Sequence, residues 1–408
     1  MKPRNTLLIA NNFPPVRGGS AVVYDNIAKF SDGAVTVLAP IIDYTTGKPM
    51  KGWREHDAEE GAARICRLPI LRTPISSENN GSILNRLLFV LADLCIRFMV
   101  ASVVLWFIIF RGTRHICIGE LVPSAWIVSI VKRIPGIATS VYIHGEEITT
   151  VEAYDRNGAR RTKTLLEVDR IIVVSNFTRG VVIKFAGPEV AAKIVLIPNG
   201  VDKNKFRPAR KSETLRARYQ LFNRGITFVS VCRILEKKGV DNALRAFSEL
   251  TRKLPGSIFL VVGDGPYLPA LKTMVRDLNL TESVIFTGQV PEEELADHYR
   301  LGDVFIMPNR ALDNGDTEGF GLVFLEANAC GLPVIAGCDG GSTDAVTHEY
   351  NGLVVNGRDI GAITDAMARL SLDADLRARV ISNGLDLVNR SGWDERAEKF
   401  NSILPSRA

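Results

Sequence analysis

Four charged residues in the second half of the chain have the types and spacing of a sugar-phosphate site. Arg233 and Lys238 follow an apolar run and precede Gly239, and two cations at the start of a helix would neutralise a diphosphate and the charge that develops on it as it leaves. Glu318 and Glu326 lie eight residues apart, and carboxylates accept hydrogen bonds from the vicinal hydroxyls of ribose and hexose. The alternatives are a solvated basic loop and solvent-exposed helix carboxylates.

The segment DTEGFGLVFLE (residues 316–326) surrounds these carboxylates with glycines and apolar residues. If a helix begins at residues 319–321, its backbone N–H groups point at a ligand and Glu318 lies at the mouth of the site. At about 100° per residue, Glu326 would then lie about 80° from Glu318 after two turns, on nearly the same face. We therefore predict that the residues at this turn bind the same ligand: Gly319, Phe320, Gly321 and Leu322.

Three further loops follow apolar runs. Gly18 and Gly19 lie in NFPPVRGGSAVVY, where a glycine pair permits close approach of the backbone to phosphate or sugar; a tight strand-to-helix turn is the alternative. His144 lies in YIHGEE, and its imidazole could donate to a phosphate or a sugar hydroxyl; a hydrogen-bonded core histidine is the alternative. The third loop is a weakly specific nucleotide-edge turn made of Gly263, Asp264 and Gly265.

Rigid elements must position these loops, and apolar runs rich in Val and Ile alternate with helical patterns along the whole chain. Runs without polar alternation are typical of parallel strands that are buried on both faces. The predicted strands span residues 6–11, 35–39, 63–67, 115–118, 140–144, 170–175, 194–198, 226–232, 257–263, 283–287, 304–308, 333–336 and 352–355. Helical patterns between them include residues 240–253, 268–278 and 360–370. The pattern predicts an α/β chain with two doubly wound, Rossmann-like parallel sheets.

A stretch rich in Pro, Gly, Asn, Asp and Lys, residues 198–208, carries no periodicity and separates the two predicted sheets. We expect one domain over residues 1–198, a second over residues 199–385, and a terminal helix within residues 386–408 that packs back on the first domain. Ligands in such sheets bind where strands end and helices begin. The two domains are therefore expected to face a shared cleft.

The composition is that of an ordinary folded chain. The 408 residues are 46% hydrophobic and 23% charged, which excludes a disordered, collagenous or coiled-coil protein. Six scattered cysteines without a C-x-x-C pair argue against a disulfide framework or a structural metal and favour a reducing cytosol.

The positive charge lies in the first half of the chain. Residues 1–198 contain 24 Lys and Arg against 17 Asp and Glu, a net of +7, whereas residues 199–408 contain 26 against 28, a net of −2. Either solvated helix faces or attraction to anionic lipid or a phosphorylated acceptor would explain this excess. The sequence has no basic run or aromatic-interleaved patch that indicates nucleic acid as a partner.

An apolar segment over residues 87–110 is interrupted only by Asp93, Arg97 and Ser102. The favourable transfer of its apolar side chains roughly offsets the cost of the two charges, so its insertion into a bilayer is marginal. A helix that is apolar all round is either buried or in contact with lipid. A buried helix and an interfacial membrane-docking helix stay open; a true span is disfavoured because the sheet must continue at His115 in the same compartment.

Together these residues resemble the retaining glycosyltransferases of family 4, which have the GT-B fold. The matching marks occur in the family's order along essentially the whole chain: Gly18-Gly19, His144-Gly, PNGVD (198–202), Arg233 with Lys238-Gly, Gly263-Asp-Gly-Pro and the Glu318-x7-Glu326 pair. NFPP (12–15), EGFG (318–321) and CGLPVIAG (330–337) look most like the GDP-mannose-dependent mannosyltransferases that act on lipid acceptors. Asn12 departs from the Asp that is common there. No motif fixes the base, so a UDP-sugar donor of glucose, N-acetylglucosamine or galactose stays an alternative.

The resemblance implies roles for the residues of the second half. Arg233 and Lys238 would hold the donor diphosphate and stabilise the leaving nucleotide. Glu318 and the backbone of residues 319–321 would bind sugar hydroxyls, and Glu326 would bind the ribose hydroxyls.

For the first half, the resemblance implies that His144 contacts the donor sugar and that Gly18 and Gly19 approach the phosphate region when the domains close. The first domain would bind a lipid-linked or glycan acceptor, with peripheral contact to an anionic membrane at the cytoplasmic face, and the second would bind a nucleoside diphosphate sugar. The implied activity is a retaining, metal-independent hexosyl transfer without a cofactor, with mannose from GDP-mannose as the expected donor sugar.

Three other functions fit the architecture less well. A nucleotide-sugar 2-epimerase would consume a UDP-sugar without an acceptor, and a non-catalytic carbohydrate-binding protein would bind the donor without turnover. A nicotinamide-dependent dehydrogenase requires a G-x-G-x-x-G after a strand, which no loop supplies.

Overall fold

The structure is a computed structural model that describes residues 5–59, 61–74, 83–151 and 155–403. Contacts divide the chain into two compact units. The first contains the chain up to Val174, Thr178–Pro198 and the chain from Trp393 onward, and the second contains Ser175–Phe177 and Asn199–Gly392.

Seven parallel strands form the sheet of the first unit, and a two-residue antiparallel pair, β3 and β4, lies outside it. In chain order the strands are β1 (Thr6–Ile9), β2 (Val35–Pro40), β3 (Ile42–Asp43), β4 (Lys48–Pro49), β5 (Arg64–Leu68), β6 (His115–Ile118), β7 (Ala138–Ile143), β8 (Arg170–Val173) and β9 (Ile194–Leu196). The sheet order is β5-β2-β1-β6-β7-β8-β9. The order reverses direction between β1 and β6, so the loops after these two strands lie at the topological switch point where such sheets bind ligands.

Helices connect these strands, as the parallel pairing requires. They are α1 (Gly19–Lys29), α2 (Trp53–Asp57), α3 (Ile83–Phe110), α4 (Leu121–Val131), α5 (Glu146–Thr149), α6 (Ala159–Glu167) and α7 (Asn176–Ala186). One continuous core joins the sheet to α3, α4 and α7 through side chains that include Ile9, Ile118, Val141, Val104 and Val182.

The apolar segment over residues 87–110 forms most of α3, and it is buried along one stripe only. Val100, Val104, Phe107 and Ile108 pack into the core of the first unit. The other face is exposed; Phe98 has 76% of its surface exposed, and further exposed apolar residues are Leu87, Leu88, Val90, Leu91, Leu94, Leu105, Trp106, Ile109 and Phe110. Within the described ranges, Asn85–Phe110 is the one helix long and apolar enough to cross a membrane, with a mean hydropathy of 2.3.

Six parallel strands form the sheet of the second unit. In chain order they are β10 (Thr227–Val231), β11 (Ile258–Val262), β12 (Val284–Gly288), β13 (Val304–Met307), β14 (Val334–Gly337) and β15 (Gly352–Val355), arranged as β12-β11-β10-β13-β14-β15. Its helices are α8 (Glu213–Arg218), α9 (Val240–Leu250), α10 (Leu268–Asp277), α11 (Leu295–Leu301), α12 (Leu322–Ala329), α13 (Ser342–Ala345), α14 (Ile360–Leu372) and α15 (Ala374–Asn389). Here the order reverses between β10 and β13.

The last helix, α16 (Trp393–Ser402), belongs to the first unit and packs on α1. Phe400 of α16 is fully buried, and its ring stacks on that of Tyr142 with 6.3 Å between centroids. The second unit extends to Gly392, seven residues past the expected end at residue 385, because α15 continues to Asn389.

The two parallel α/β sheets confirm the predicted fold class, and every predicted strand is present with its ends shifted by at most two residues. The β3–β4 pair was not predicted, because two-residue strands around a turn carry no alternating pattern.

Candidate active site

The loops after β10 and β13 carry most of the predicted site residues of the second unit. β10 and β13 are parallel neighbours in the sheet. From β10 the chain continues to β11 on one side of this pair, and from β13 it continues to β14 on the other side. The switch point therefore gathers the residues after β10, which include Arg233 and Lys238, and those after β13, which include Glu318.

Backbone hydrogen bonds tie the loop after β10 to the turn after β11. The N–H of Cys232 donates to the carbonyl of Val262 at 3.1 Å, and the N–H of Ile234 donates to the carbonyl of Asp264 at 2.9 Å. The turn formed by Gly263, Asp264 and Gly265 therefore lies directly beside Arg233. This contact gives the weakly specific glycine turn a definite position next to the predicted phosphate loop.

Arg233 and Lys238 differ in their surroundings. Arg233 is exposed, and its guanidinium has no hydrogen bond or ion pair with any residue in the described part of the chain. The Lys238 ammonium instead contacts the Glu318 carboxylate, and both side chains are nearly buried, with 15% and 13% of their surface exposed.

Burial and charge oppose each other in this pair. Burial alone would raise the pKa of Glu318, but the attraction of the Lys238 ammonium holds that pKa below its ordinary value. Burial alone would lower the pKa of Lys238, but the Glu318 carboxylate raises it. Both groups are therefore charged at neutral pH. The sequence predicted these two residues as site members, and the structure brings them into direct contact.

Two ion pairs that the sequence analysis missed brace the same loops. Lys237 Nζ lies 2.6 Å from Asp316 Oδ1, which joins the loop after β10 to the segment before Glu318. Arg310 holds Asp241 with two hydrogen bonds of 2.7 and 2.9 Å, and its backbone N–H donates to the carbonyl of Lys237 at 2.8 Å. Arg310 follows β13 closely and Asp241 lies in the first turn of α9, and these positions were the only sequence signal for their pairing.

The glycine turn after Glu318 corrects one expectation. The helix α12 begins at Leu322, not at residues 319–321, because Gly321 has a positive φ of 87° and ends the turn that precedes the helix. Glu318 and Glu326 therefore do not share a helical face, and the angular argument for their alignment is wrong. Glu326 alone lies on α12.

The loop after β14, which the sequence analysis did not select, holds this glycine turn in place. The N–H of Gly341 donates to the carbonyl of Glu318 at 2.7 Å. A Cβ at Gly341 would lie 1.9 Å from the carbonyl oxygen of Gly319, so only glycine permits this approach. The short run Asp339-Gly-Gly341 was the available signal. Phe320 is buried at this turn, whereas Leu322 is partly exposed.

Glu326 has a buried partner on α11. The Tyr299 hydroxyl donates to Glu326 Oε2 at 2.5 Å, and Tyr299 is fully buried. Burial raises the pKa of Glu326 to about 6. Tyr299 fixes Oε2 of Glu326, and Oε1 has no hydrogen-bond partner among the described residues, so it can accept a hydrogen bond from a ligand hydroxyl.

In the first unit, the loop after β1 is anchored by a buried carboxylate that sequence reasoning missed. Glu120, just after β6, accepts hydrogen bonds from the backbone N–H groups of Asn11 and Asn12 at 2.9 and 3.0 Å. Gly18 and Gly19 follow at the start of α1, and a Cβ at Gly18 would meet no atom within 4 Å. Packing therefore does not require glycine at position 18, and the space next to the N-terminus of α1 is open there.

His144 follows β7 directly, whereas the predicted strand included it as its last residue. Its Nε2 atom lies 2.9 Å from the Tyr24 hydroxyl, and its backbone N–H donates to the Glu147 carboxylate at 3.2 Å. Burial lowers the pKa of His144 to about 4, so the ring is neutral at physiological pH. Gly18, Gly19 and His144 belong to the first unit, and all other predicted site residues belong to the second.

No group of three or more His, Cys, Asp and Glu side chains within the described ranges has the geometry to hold a metal ion. The expectation of a metal-free site stays a prediction.

Two family models match successive parts of the chain. The family described as Glycosyltransferase Family 4 matches residues 65–205, and the family described as Glycosyl transferases group 1 matches residues 211–386. The solved structure of Anabaena Alr3699/HepE in complex with UDP and glucose has a TM-score of 0.76 with this chain at 18% identity, covering 97% of this chain and 98% of that one. This likeness concerns the fold.

Curated relatives match over almost the full length. The GDP-mannose-dependent alpha-(1-6)-phosphatidylinositol monomannoside mannosyltransferase of Mycobacterium tuberculosis is 33% identical over 407 residues, which cover 98% of this chain and 97% of the relative. The GDP-mannose-dependent monoacylated alpha-(1-6)-phosphatidylinositol monomannoside mannosyltransferase of Corynebacterium glutamicum is 26% identical and covers 99% and 98% of the two chains. The chain therefore belongs to the family 4 glycosyltransferases of GT-B fold and is a hexosyltransferase.

Proposed function

We propose that the protein transfers mannose from GDP-mannose, with retention at the anomeric carbon, to a lipid-linked acceptor of the phosphoinositide glycolipid class. The observation that carries this proposal is the 33% identity to a GDP-mannose-dependent transferase across 98% of the chain. The charged residues after β10 and β13 provide the chemistry that such a donor needs.

Arg233 and Lys238 bind the donor diphosphate in this proposal. Arg233 is free to form hydrogen bonds with phosphate oxygens, since it has no partner in the described ranges. Lys238 has three donors, of which Glu318 occupies one. These cations supply the positive charge that a divalent ion supplies to a leaving diphosphate elsewhere.

The two carboxylates select hydroxyl groups. Glu318 is held ionised by Lys238 and accepts hydrogen bonds from hydroxyls of the transferred mannose. Glu326 uses its Oε1 atom for the ribose hydroxyls, while Tyr299 holds Oε2.

The transfer step breaks the bond between the anomeric carbon and the β-phosphate oxygen through an oxocarbenium-like transition state. Negative charge grows on that oxygen, where Arg233 and Lys238 stabilise it. The acceptor hydroxyl forms the new bond on the same face, and its proton passes to the leaving phosphate. Loss of one donor to such a developing oxyanion lowers the rate by about 10²–10³.

In this proposal the first unit contributes His144 to the donor sugar and Gly18 and Gly19 to the phosphate region. It also binds the acceptor. A cytoplasmic location at the inner face of the membrane follows from the lipid acceptor and the intracellular nucleotide sugar.

The exposed face of α3 is the proposed membrane contact. Its apolar side chains face solvent over several turns, and Arg111 stacks on Trp106 at 5.5 Å just past the last turn. Exposed contiguous apolar surface of this kind marks an interaction site, and tryptophan beside arginine is typical of a bilayer interface.

Cations lie at the end of the same helix and of its neighbour. Arg111 and Arg114 follow α3, and Lys132 and Arg133 follow α4; all four are exposed. The strands β6 and β7 that come next are paired, so these cations share the amino edge of the first sheet. Each cation near an anionic surface contributes about 1 kcal/mol to binding.

The donor is tested by incubating the protein with GDP-mannose, UDP-glucose, UDP-N-acetylglucosamine and UDP-galactose, each with a phosphatidylinositol mannoside acceptor. We expect turnover with GDP-mannose and an α-linked product by NMR. Preferential turnover of a UDP-sugar, or a β-linked product, would contradict the proposal. Donor binding without turnover would favour a carbohydrate-binding protein, and consumption without acceptor would favour an epimerase.

Membrane contact is tested by cosedimentation with vesicles of phosphatidylcholine, with and without phosphatidylglycerol. We expect binding to the anionic vesicles and its loss in Phe98→Glu. Leu372→Glu is the matched control, since Leu372 is 67% exposed on the second unit, against 76% for Phe98. If the wild-type protein does not bind anionic vesicles, or if the two variants lose binding equally, the proposed membrane contact of α3 is contradicted.

A further inference from the structure

The Tyr24 hydroxyl forms two hydrogen bonds with a single proton. It contacts the carbonyl oxygen of Gly119, after β6, and it lies 2.9 Å from Nε2 of His144, after β7. A phenol has one O–H donor and can also accept. The direction of each bond therefore decides where the proton of the imidazole lies.

The carbonyl of Gly119 can only accept, so the hydroxyl must donate to it. Tyr24 is fully buried, and burial together with the carboxylates of Glu120 and Glu147 raises its pKa well above the ordinary value, which keeps the hydroxyl protonated. A Cβ at Gly119 would lie 2.9 Å from Tyr24 Cζ, so glycine at this position permits the contact. The Tyr24 oxygen is left as an acceptor, and His144 Nε2 must supply the proton.

The neutral ring of His144 then carries its only proton on Nε2. Its Nδ1 atom keeps a lone pair and has no hydrogen-bond partner among the residues that the structure describes. The ring plane is also fixed: Tyr142 stacks on it with 5.4 Å between centroids and 12° between planes, and Tyr24 packs edge-on at 5.3 Å.

We propose that Tyr24 is a positioning residue that holds His144 as the Nε2–H tautomer, so that Nδ1 accepts a hydrogen bond from a hydroxyl of the transferred sugar. This inference rests on the proposed sugar transfer for the identity of the ligand. The inference also excludes one ligand group. Deprotonated phosphate oxygens only accept hydrogen bonds, and the unprotonated Nδ1 atom also only accepts them, so the two cannot form a hydrogen bond with each other. His144 therefore binds a sugar hydroxyl and not the diphosphate.

The tautomer is measured directly by nitrogen NMR of the full chain labelled with ¹⁵N-histidine. The chain has five histidines, and the signals that disappear in His144→Gln identify this ring. We expect a protonated Nε2 and an unprotonated Nδ1 in the wild type. In Tyr24→Phe the two nitrogen shifts should move toward each other, because the second tautomer becomes populated. A wild-type ring protonated at Nδ1 would overturn the proposal.

The effect on transfer is measured with a double-mutant cycle. Tyr24→Phe should lower kcat about tenfold, the effect of losing one positioning hydrogen bond. In the His144→Ala background, the same change should lower kcat less than twofold, since Tyr24 acts through that ring. Equal losses in both backgrounds would show a merely structural role and overturn the proposal.

Tyr219→Phe is the control, because the Tyr219 hydroxyl lies 3.0 Å from Nε2 of His298, a tyrosine–histidine pair outside the proposed site; it should change kcat less than twofold. The two experiments separate the inference from the proposed function. If no sugar is transferred, the function fails while the NMR result still decides the tautomer. If transfer occurs and His144→Ala leaves it unchanged, the function stands and this inference fails.

Discussion

Replacing Arg233 and Lys238 one at a time distinguishes ligand binding from fold stability, because both are proposed to bind the diphosphate and Lys238 also forms a buried ion pair with Glu318. Arg233 is exposed, and its guanidinium has no partner in the described ranges. Lys238 is nearly buried against the equally buried Glu318. Both cations serve the leaving diphosphate in the proposed mechanism, so Arg233→Ala and Lys238→Ala should each lower kcat about 10²–10³-fold.

The two variants should differ sharply in stability. A surface substitution such as Arg233→Ala changes the free energy of unfolding by no more than about 0.5 kcal/mol. Lys238→Ala leaves the Glu318 carboxylate buried without its partner, which costs about 3–5 kcal/mol. For a unit of about 200 residues this corresponds to a fall in Tm of about 6–20 °C.

Thermal melts and transfer rates with GDP-mannose, measured side by side, test this contrast. The double variant Lys238→Ala with Glu318→Gln removes both charges, so it should regain most of the lost stability while transfer stays impaired. Near wild-type transfer in Arg233→Ala would refute the assignment of the phosphate site. Equal melting temperatures for wild type and Lys238→Ala would refute the buried ion pair.

Three further predictions concern residues that hold the site. Tyr299→Phe should weaken GDP binding about tenfold by calorimetry, because the Glu326 carboxylate loses the hydroxyl that fixes it; an unchanged affinity would contradict this role. Arg310→Ala should lower the free energy of unfolding in urea by about 3–5 kcal/mol, because it leaves Asp241 buried without its bidentate partner. A loss below about 1 kcal/mol would contradict the stabilising role of this ion pair. Burial raises the pKa of Glu147 from 4.5 to about 7, so folding takes up a proton between these values and the stability that this carboxyl contributes falls as pH rises through the window. Glu147→Gln should therefore reduce the loss of unfolding free energy between pH 5 and 7 by up to about 1.4 kcal/mol per pH unit, and identical pH profiles of variant and wild type would contradict that pKa.

Much of the fold could be predicted because strands buried on both faces are apolar runs that the sequence displays directly. Val304–Met307 and Gly352–Val355 are examples in which the run and the strand coincide almost residue for residue. The start of α12 could not be placed, because the turn before it is held by Gly341, a contact between two loops that no local pattern reveals.

The charged residues of the candidate site could be selected by type and by the strand that precedes them, but their partners could not. Tyr299 lies 27 residues from Glu326, and Tyr24 lies 120 residues from His144. Which distant residues become neighbours in a parallel sheet can be predicted only when the strand order is known. The sequence likewise could not distinguish Arg233, whose guanidinium has no partner in the described part of the chain, from the ion-paired Lys238, because both are cations that follow the same strand.

The central claim is that the second unit holds a sugar nucleotide between the cations after β10 and the carboxylates after β13. A crystal structure with GDP-2-fluoro-mannose, which binds without transfer, tests it most directly. The diphosphate should contact Arg233 and Lys238, the mannose hydroxyls should contact Glu318, and the ribose should contact Glu326. A diphosphate bound away from these four side chains would contradict the account.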